Sequence, residues 1–197
     1  PGLMVPHPGY TRHTEPGSIT DDTYIRAEVT RFYLQSDEPR TPGMLADWLF
    51  VNADFDKWPY PAVSGLLRVI RGHHSPEEAG NTNEQGGFVG WWTPIGIMNA
   101  GNPENAAAET ARLSRIFKAP LERDLIGAVQ AGVAAAFVDA ASVDSVVKAM
   151  LSVSGPLARQ LLQRAVDIAR EVNSFDALVK ELYAHCLLDE APIETDA

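Results

Sequence analysis

Thr20, Asp21, Asp22 and Thr23 place two adjacent carboxylates between two hydroxyls where an apolar helical pattern begins. Hard oxygen ligands at this density suit Mg2+ or Ca2+. The same residues also suit a plainer role, because Ser, Thr and Asp favour helix N-caps and first-turn acids complement the helix dipole. Spacing alone leaves both readings open. A second group lies in GNTNEQGGFVGWWTPIG, where Gly86, Gly87 and Gly90 permit close backbone approach to a ligand. Successive N–H groups in such a turn can cradle an anion. Beside them, Trp91 and Trp92 offer faces to a base or sugar, or equally pack into a core. Asn83, Glu84 and Gln85 add polar groups of the kind any exposed loop contains.

Other chemistries find less support. His73 and His74 are adjacent in a polar stretch, His7 and His13 fall in an irregular one, and His185 abuts Cys186. None has the spacing of a His-Glu-x-x-His zinc motif, and neither a Gly-x-Ser-x-Gly elbow nor a Walker loop occurs. The formal net charge of -10 argues against general binding to nucleic acid or to an anionic membrane. With Cys186 the single cysteine, there is no disulfide framework and no Cys-based zinc site, and a reducing compartment is the default. No apolar run approaches the roughly 18 residues a membrane span needs. The first residues, PGLMVPHPGYTRHTEPGS, lack a signal-peptide pattern, so the expectation is a cytoplasmic, soluble protein.

The elements that must position these residues are helical. Ile25, Val29, Phe32 and Tyr33 fall at i, i+4, i+7 and i+8, which predicts a helix from the acidic pair to about Ser36. After the turn-rich SDEPRTPG, Leu45, Trp48 and Leu49 predict a second. YPAVSGLLRVIRG reads as a short helix ended by Gly72, and HHSPEEAGNTNEQGGFVG as a long loop. Asn102 is the expected N-cap of the next helix, with Pro103 at its first position and Pro120 closing the segment. In the following helix Leu125, Val129, Val133 and Ala136 form a stripe, flanked by Gly127, Ala128, Ala131, Gly132 and Ala135. Small flanks let neighbouring backbones approach, which predicts a central helix. Ser142 caps a helix carrying Val143, Val146, Val147 and Met150. Gly155-Pro156 opens one with Leu157, Leu161, Ala165, Ile168 and Val172, and the last uses Phe175, Leu178, Val179, Leu182 and Cys186. No alternating β-branched run and no persistent heptad occurs. The expectation is one all-α domain over residues 1–197, an orthogonal multi-helix bundle.

The acidic motif and the Gly-rich loop together resemble the ADP-ribosylglycohydrolase family. Thr20, Asp21, Asp22 and Thr23 match its Thr-Asp-Asp-Thr motif, and GGFVGWWTPIG with the NAGNPENAAAETARLSRIF that follows is similar to its Gly-rich loop and the helices after it. The resemblance implies an all-α fold and a site with two Mg2+ ions, ligated in part by Thr20, Asp21 and Asp22. The ions would bind the ribose hydroxyls, with Asp21 and Asp22 at the reaction centre. It further implies that Gly86, Gly87 and Gly90 approach the phosphates or distal ribose and that Trp91 or Trp92 shapes the pocket. The bond cut would be an N- or O-glycosidic link of an ADP-ribosyl compound or an ADP-ribosylated protein. Nucleic acid and membranes are not implied as partners.

The sequence also departs from that pattern. A second Asp-x-Asp-Thr motif is absent, as is the family's Gly-Asp-Ala-Leu-Gly type helix, so the expectation is the central part of a longer chain. FVGWWTPIG and SRIFKAP stand where relatives that act on proteins carry Gly-Gly-Ala-Met-Arg and Thr-His. This points to a smaller ribosyl or nucleoside-like substrate. The alternative is a non-catalytic relative, a crystallin-like binding or structural protein with the same helices.

Overall fold

Ile25, Val29, Phe32 and Tyr33, spaced as one face of a helix, are buried on one side of α1 (Asp21–Gln35). The structure is a computed structural model and describes residues 21–36, 39–54, 69, 71–72, 74–81 and 89–185. Opposite α1 packs α2 (Pro42–Asn52), which begins as its sequence dictates. Thr41 Oγ1 accepts the Met44 N–H at 3.2 Å, and Pro42, whose missing N–H costs nothing there, takes the first turn. Leu45 and Leu49 meet Phe32 and Ile25 in one apolar cluster. Trp92, Ile95, Leu113 and Ile116 complete it from the 3₁₀ turn Val89–Trp92, α3 (Thr93–Met98), α4 (Pro103–Leu113) and the 3₁₀ turn Ser114–Ile116.

The remaining helices are α5 (Pro120–Ala136), α6 (Val143–Val153), α7 (Pro156–Glu171) and α8 (Phe175–His185). No strand occurs among the described residues, and the fold is all-α. The predicted caps are present. Asn102 Oδ1 accepts the Asn105 N–H at 3.1 Å, and Ser142 Oγ accepts the Ser145 N–H at 3.1 Å. Pro120 has the opposite role to the expected one. α4 stops at Leu113 and tightens into the 3₁₀ turn, and Pro120 opens α5, because its fixed φ suits a first helical position better than a last one. There Glu122 reaches back to accept the Ala119 N–H at 3.2 Å.

α5 is central, packing against α3, α4 and α6. Its buried face, however, is made mostly of small residues, joined by Ile126 and Gln130. Gly127, Ala128, Ala131, Gly132, Ala134 and Ala135 are buried, whereas Leu125, Val129 and Val133 are half-buried and Ala136 is exposed. Close helix approach explains the difference. A Cβ on Gly132 would lie 2.8 Å from Met150 Cγ, so the Met150 side chain of α6 packs directly against the bare backbone of α5 there. The expected buried stripes of the last two helices are also only partly covered: Leu157 and Phe175 are exposed, and Leu178, Val179 and Leu182 half-buried. Cys186, most of YPAVSGLLRVIRG, and residues 82–88 of the expected long loop lie outside the described residues. His74–Asn81 is a run of turns, as that loop reading requires.

A polar network fastens the C-terminal end of α1. The Tyr33 hydroxyl donates to the Glu109 carboxylate of α4, and Asn99 Nδ2 donates to Glu109 Oε2 at 3.1 Å. The Arg40 and Arg112 guanidiniums lie 3.5 and 3.6 Å from Glu109 Oε1. Arg40 also covers the Tyr33 ring at 3.9 Å and donates to the Tyr33 carbonyl at 3.1 Å. Burial pushes the Tyr33 phenol pKa well up, and the hydrogen bond to Glu109 and its charge push it further. With Glu109 only 4% exposed, these bonds fix the tilt of α1 against α3 and α4, and hence where its N-terminal end points.

Candidate functional site

Asp22 stands in the first turn of α1, exposed to solvent. Its side chain is held by a residue 69 positions away: the Trp91 indole Nε1–H donates to Asp22 Oδ1 at 2.8 Å. Trp91 is itself 1% exposed, set edge-on to Phe117 with ring centres 6.3 Å apart. The donor therefore comes from the packed core and is not free to turn away. Asp22 Oδ2 takes no hydrogen bond among the described residues, which leaves one carboxylate oxygen fixed and one open.

The segment that presents Trp91 is pinned from three sides. Gln130 Nε2 of α5 donates to the Val89 carbonyl at 3.1 Å. Thr93 Oγ1 and Arg26 Nε both donate to the Gly90 carbonyl, at 3.0 and 3.1 Å. Arg26 lies one turn along α1 from Asp22, so α1 meets the Val89–Trp92 turn through an acid and a base on one face. A Cβ on Gly90 would sit 3.3 Å from Arg26 Nη2, so the absence of a side chain lets the guanidinium lie against the turn. At the start of α1, the Asp54 N–H donates to the Tyr24 hydroxyl at 2.6 Å and ties the helix to the end of α2.

Of the residues singled out by sequence, Asp22, Gly90 and Trp91 are thus brought together. Trp92 is 0% exposed and packs tilted against Phe117, so it supports the turn from beneath and presents no face to a ligand. The same burial removes the Trp91 ring as a stacking surface and leaves its N–H as the working group. Thr20, Gly86, Gly87 and the polar Asn83, Glu84 and Gln85 lie outside the described residues. So does the side chain of Asp21, whose backbone opens α1. Sequence reading passes over Arg26, for which the i, i+4 spacing from Asp22 is the available signal. It also passes over Glu109, whose partners are too distant in sequence to suggest one.

The donor chemistry at Asp22 fits a divalent cation. Asp22 is an exposed carboxylate whose orientation is set by the Trp91 indole, a chemistry suited to a hard cation. No cluster of three or more His, Cys, Asp or Glu suited to a metal occurs among the described residues. Two open grooves of about 650 and 760 Å3 run along α6, α7 and α8, and Asp22, Gly90 and Trp91 line neither. Among the described residues, no helix is long and apolar enough to cross a membrane.

The ADP-ribosylglycohydrolase family model matches residues 2–194, while no curated protein and no solved structure matches the chain. That match runs through the acidic motif, the Trp-bearing turn and the helices that hold them together. The chain therefore belongs to the ADP-ribosylglycohydrolase family, whose chemistry is the hydrolysis of ADP-ribosyl glycosidic bonds.

Proposed function

We propose that this chain carries the metal-binding and ribose-binding part of a Mg2+-dependent glycohydrolase that cuts an N- or O-glycosidic bond of an ADP-ribosyl or smaller ribosyl substrate. What supports this reading is one contact, the bond from Trp91 to Asp22, which joins the two stretches that resemble the family's site. A helix cap needs no such brace. An exposed first-turn acid contributes only about 0.3–1 kcal/mol to its helix whether or not a buried indole orients it. Fixing one oxygen and leaving the other open is instead what a ligand to a hard cation requires.

Thr20, Asp21 and Asp22 would hold the metal, and Asp22 is the member whose geometry is described. Bound Mg2+ would polarise the ribose hydroxyls and lower the pKa of a water placed for attack on the anomeric carbon. The protein's own share is positional. Trp91 keeps the carboxylate from rotating, Gln130 and Thr93 hold the turn that carries Trp91, and the Glu109 network keeps α1 from tilting away. Holding reacting groups in near-attack geometry can remove about 7–11 kcal/mol of a barrier.

The test is calorimetric titration of Mg2+ and of ADP-ribose, separately and together, into the natural full-length protein and two variants. Asp22→Asn keeps an oxygen for the indole and loses the charge, and is expected to abolish Mg2+-dependent ADP-ribose binding. Trp91→Phe keeps the charge and loses the brace, and is expected to weaken Mg2+ binding about 10- to 100-fold. ADP-ribose binding that ignores Mg2+, or that survives Asp22→Asn unchanged, would overturn the reading.

A further inference from the structure

The groove of about 650 Å3 between α6 and α7 differs in charge from the rest of the chain. Its apolar floor is made by the half-buried side chains of Val147, Leu151 and Val166. Three cations line it, Lys148, Arg159 and Arg170, against one acid, Asp144. In a chain of net charge -10, such a local excess of positive charge attracts an acidic occupant. Two of the cations brace the groove. Arg159 Nε and Nη2 donate to the Leu151 and Ser154 carbonyls at 2.9 and 3.0 Å, which ties the start of α7 to the end of α6. Arg170, at the end of α7, pairs with Asp144, at the start of α6, at 3.1 Å. Lys148 lies between the two braces, exposed, and forms no ion pair among the described residues.

We propose that residues 189–196 of this chain, Asp-Glu-Ala-Pro-Ile-Glu-Thr-Asp, dock in this groove, with their carboxylates toward Lys148 and the two arginines and Ile193 on the apolar floor. These residues lie outside the described ones and follow α8 after three intervening positions. They carry four carboxylates and no Lys or Arg, the complement of the groove. The path is short. His185, the last residue of α8, lines a second groove with Gln160, Gln163 and Arg164 of α7, and Gln163 lines the α6–α7 groove as well. The chain therefore leaves α8 on one flank of α7, and the basic groove lies on the other. Residues 186–196 reach about 36 Å when extended, whereas the 16 residues of α7 span only about 24 Å. A second copy of the chain is the poorer occupant. Two molecules of net charge -10 repel one another, while a segment tethered at His185 meets the groove at high effective concentration. One exposed ion pair contributes little, and the tether lets several weak ones act together. Docked there, the segment covers apolar surface that α6 and α7 leave to water, with a hold that salt weakens.

Zero-length carbodiimide coupling tests this, because it joins an amine to a carboxylate only where the two already meet. The full-length protein, as an equal mixture of unlabelled and heavy-isotope-labelled chains, is coupled at low and at high salt, digested and mapped by mass. The expected products join Lys148 to Asp189, Glu190 or Glu194 within one chain and fall away at high salt. Lys148→Glu, verified as folded by thermal unfolding, is expected to speed cleavage after Glu190 and Glu194 by a glutamate-specific protease about 3- to 10-fold. Products that join Lys148 to these residues in mixed-isotope pairs mean that a second copy supplies the segment, and overturn the proposal. So does the absence of any product between Lys148 and residues 189–196, or a cleavage rate that is the same in Lys148→Glu as in wild type.

Discussion

Helices α6 to α8 carry amphipathic patterns clearer than those of α1 and α2, yet it is the region from α1 to α5 that buries its apolar residues. In the first region Leu49, Trp92, Ile95, Leu113 and Ile116 are fully buried, and polar Glu109 and Arg40 are buried with them. In the second, Ala158 is the single buried apolar side chain among the described residues, while Val143 is 81% and Phe175 77% exposed. The candidate site lies wholly in the first region. A carboxylate oriented to within a hydrogen bond needs supports that cannot move, and these come from a packed core: Trp91, Gln130 and the network that fixes α1.

Breaking that network is the strongest way to erase the contrast. Glu109→Ala removes a buried carboxylate that Arg40 meets and the acceptor shared by Tyr33 and Asn99. Loss of one partner of a buried pair costs about 3–5 kcal/mol. The expected outcome in chemical denaturation is a loss of that size, with Glu109→Gln, which keeps the shape and one acceptor, losing distinctly less. Equal losses in the two variants would mean that shape, and not charge, carries the network.

A smaller effect comes from the tyrosine in the same network, and its pH dependence has a definite sign. The folded-state pKa of Tyr33 is raised, so the stability it contributes is complete below the unfolded value of about 10. It declines as pH rises from there toward the folded value, because the unfolded chain gives up the proton first. Tyr33→Phe is expected to cost about 1 kcal/mol at neutral pH, the worth of one hydrogen bond. The gap between wild type and variant should close by up to about 1.4 kcal/mol per pH unit above 10. Urea denaturation of both proteins at pH 9 and pH 11 checks this, and a gap independent of pH would show that Tyr33 is not held in its protonated form.

The contrast also marks what the sequence could and could not tell. Local signals read well. α1 follows from the spacing of four apolar residues, and Asn102, Pro103 and Ser142 do at their helix ends what their side chains allow. Pro120 shows the limit of such punctuation, since a proline between two helical patterns can close one or open the other and only its φ favours the second. Contacts were out of reach. Nothing in local pattern connects Trp91 to Asp22 across 69 residues, or Tyr33 to Glu109 across 76. In α5 the eye follows Leu125 and Val129, while the packing is decided by how closely Gly132 lets α6 approach. Periodicity names a face that can be buried; the partner and the depth come from three-dimensional packing.

The smallest effect is expected where the two regions differ most. Phe175 begins α8, a helix with no buried residue, and leaves 77% of its surface in water. Full burial of a phenylalanine is worth about 1.5–3 kcal/mol, and only a minor part of that is realised here. Phe175→Ser should therefore change stability by no more than about 0.5 kcal/mol, the range typical of surface positions, and leave ADP-ribose binding untouched. The comparison needs a control in the buried region with the same chemistry, and Phe32, 1% exposed between α1 and α2, supplies it. Phe32→Ser removes a fully buried ring and places a hydroxyl in the core, which makes it the severe member of the pair. If thermal unfolding of the full-length protein showed the two substitutions equally costly, α8 would be buried in solution, and the division between a packed region that holds the site and an open one beside it would not survive.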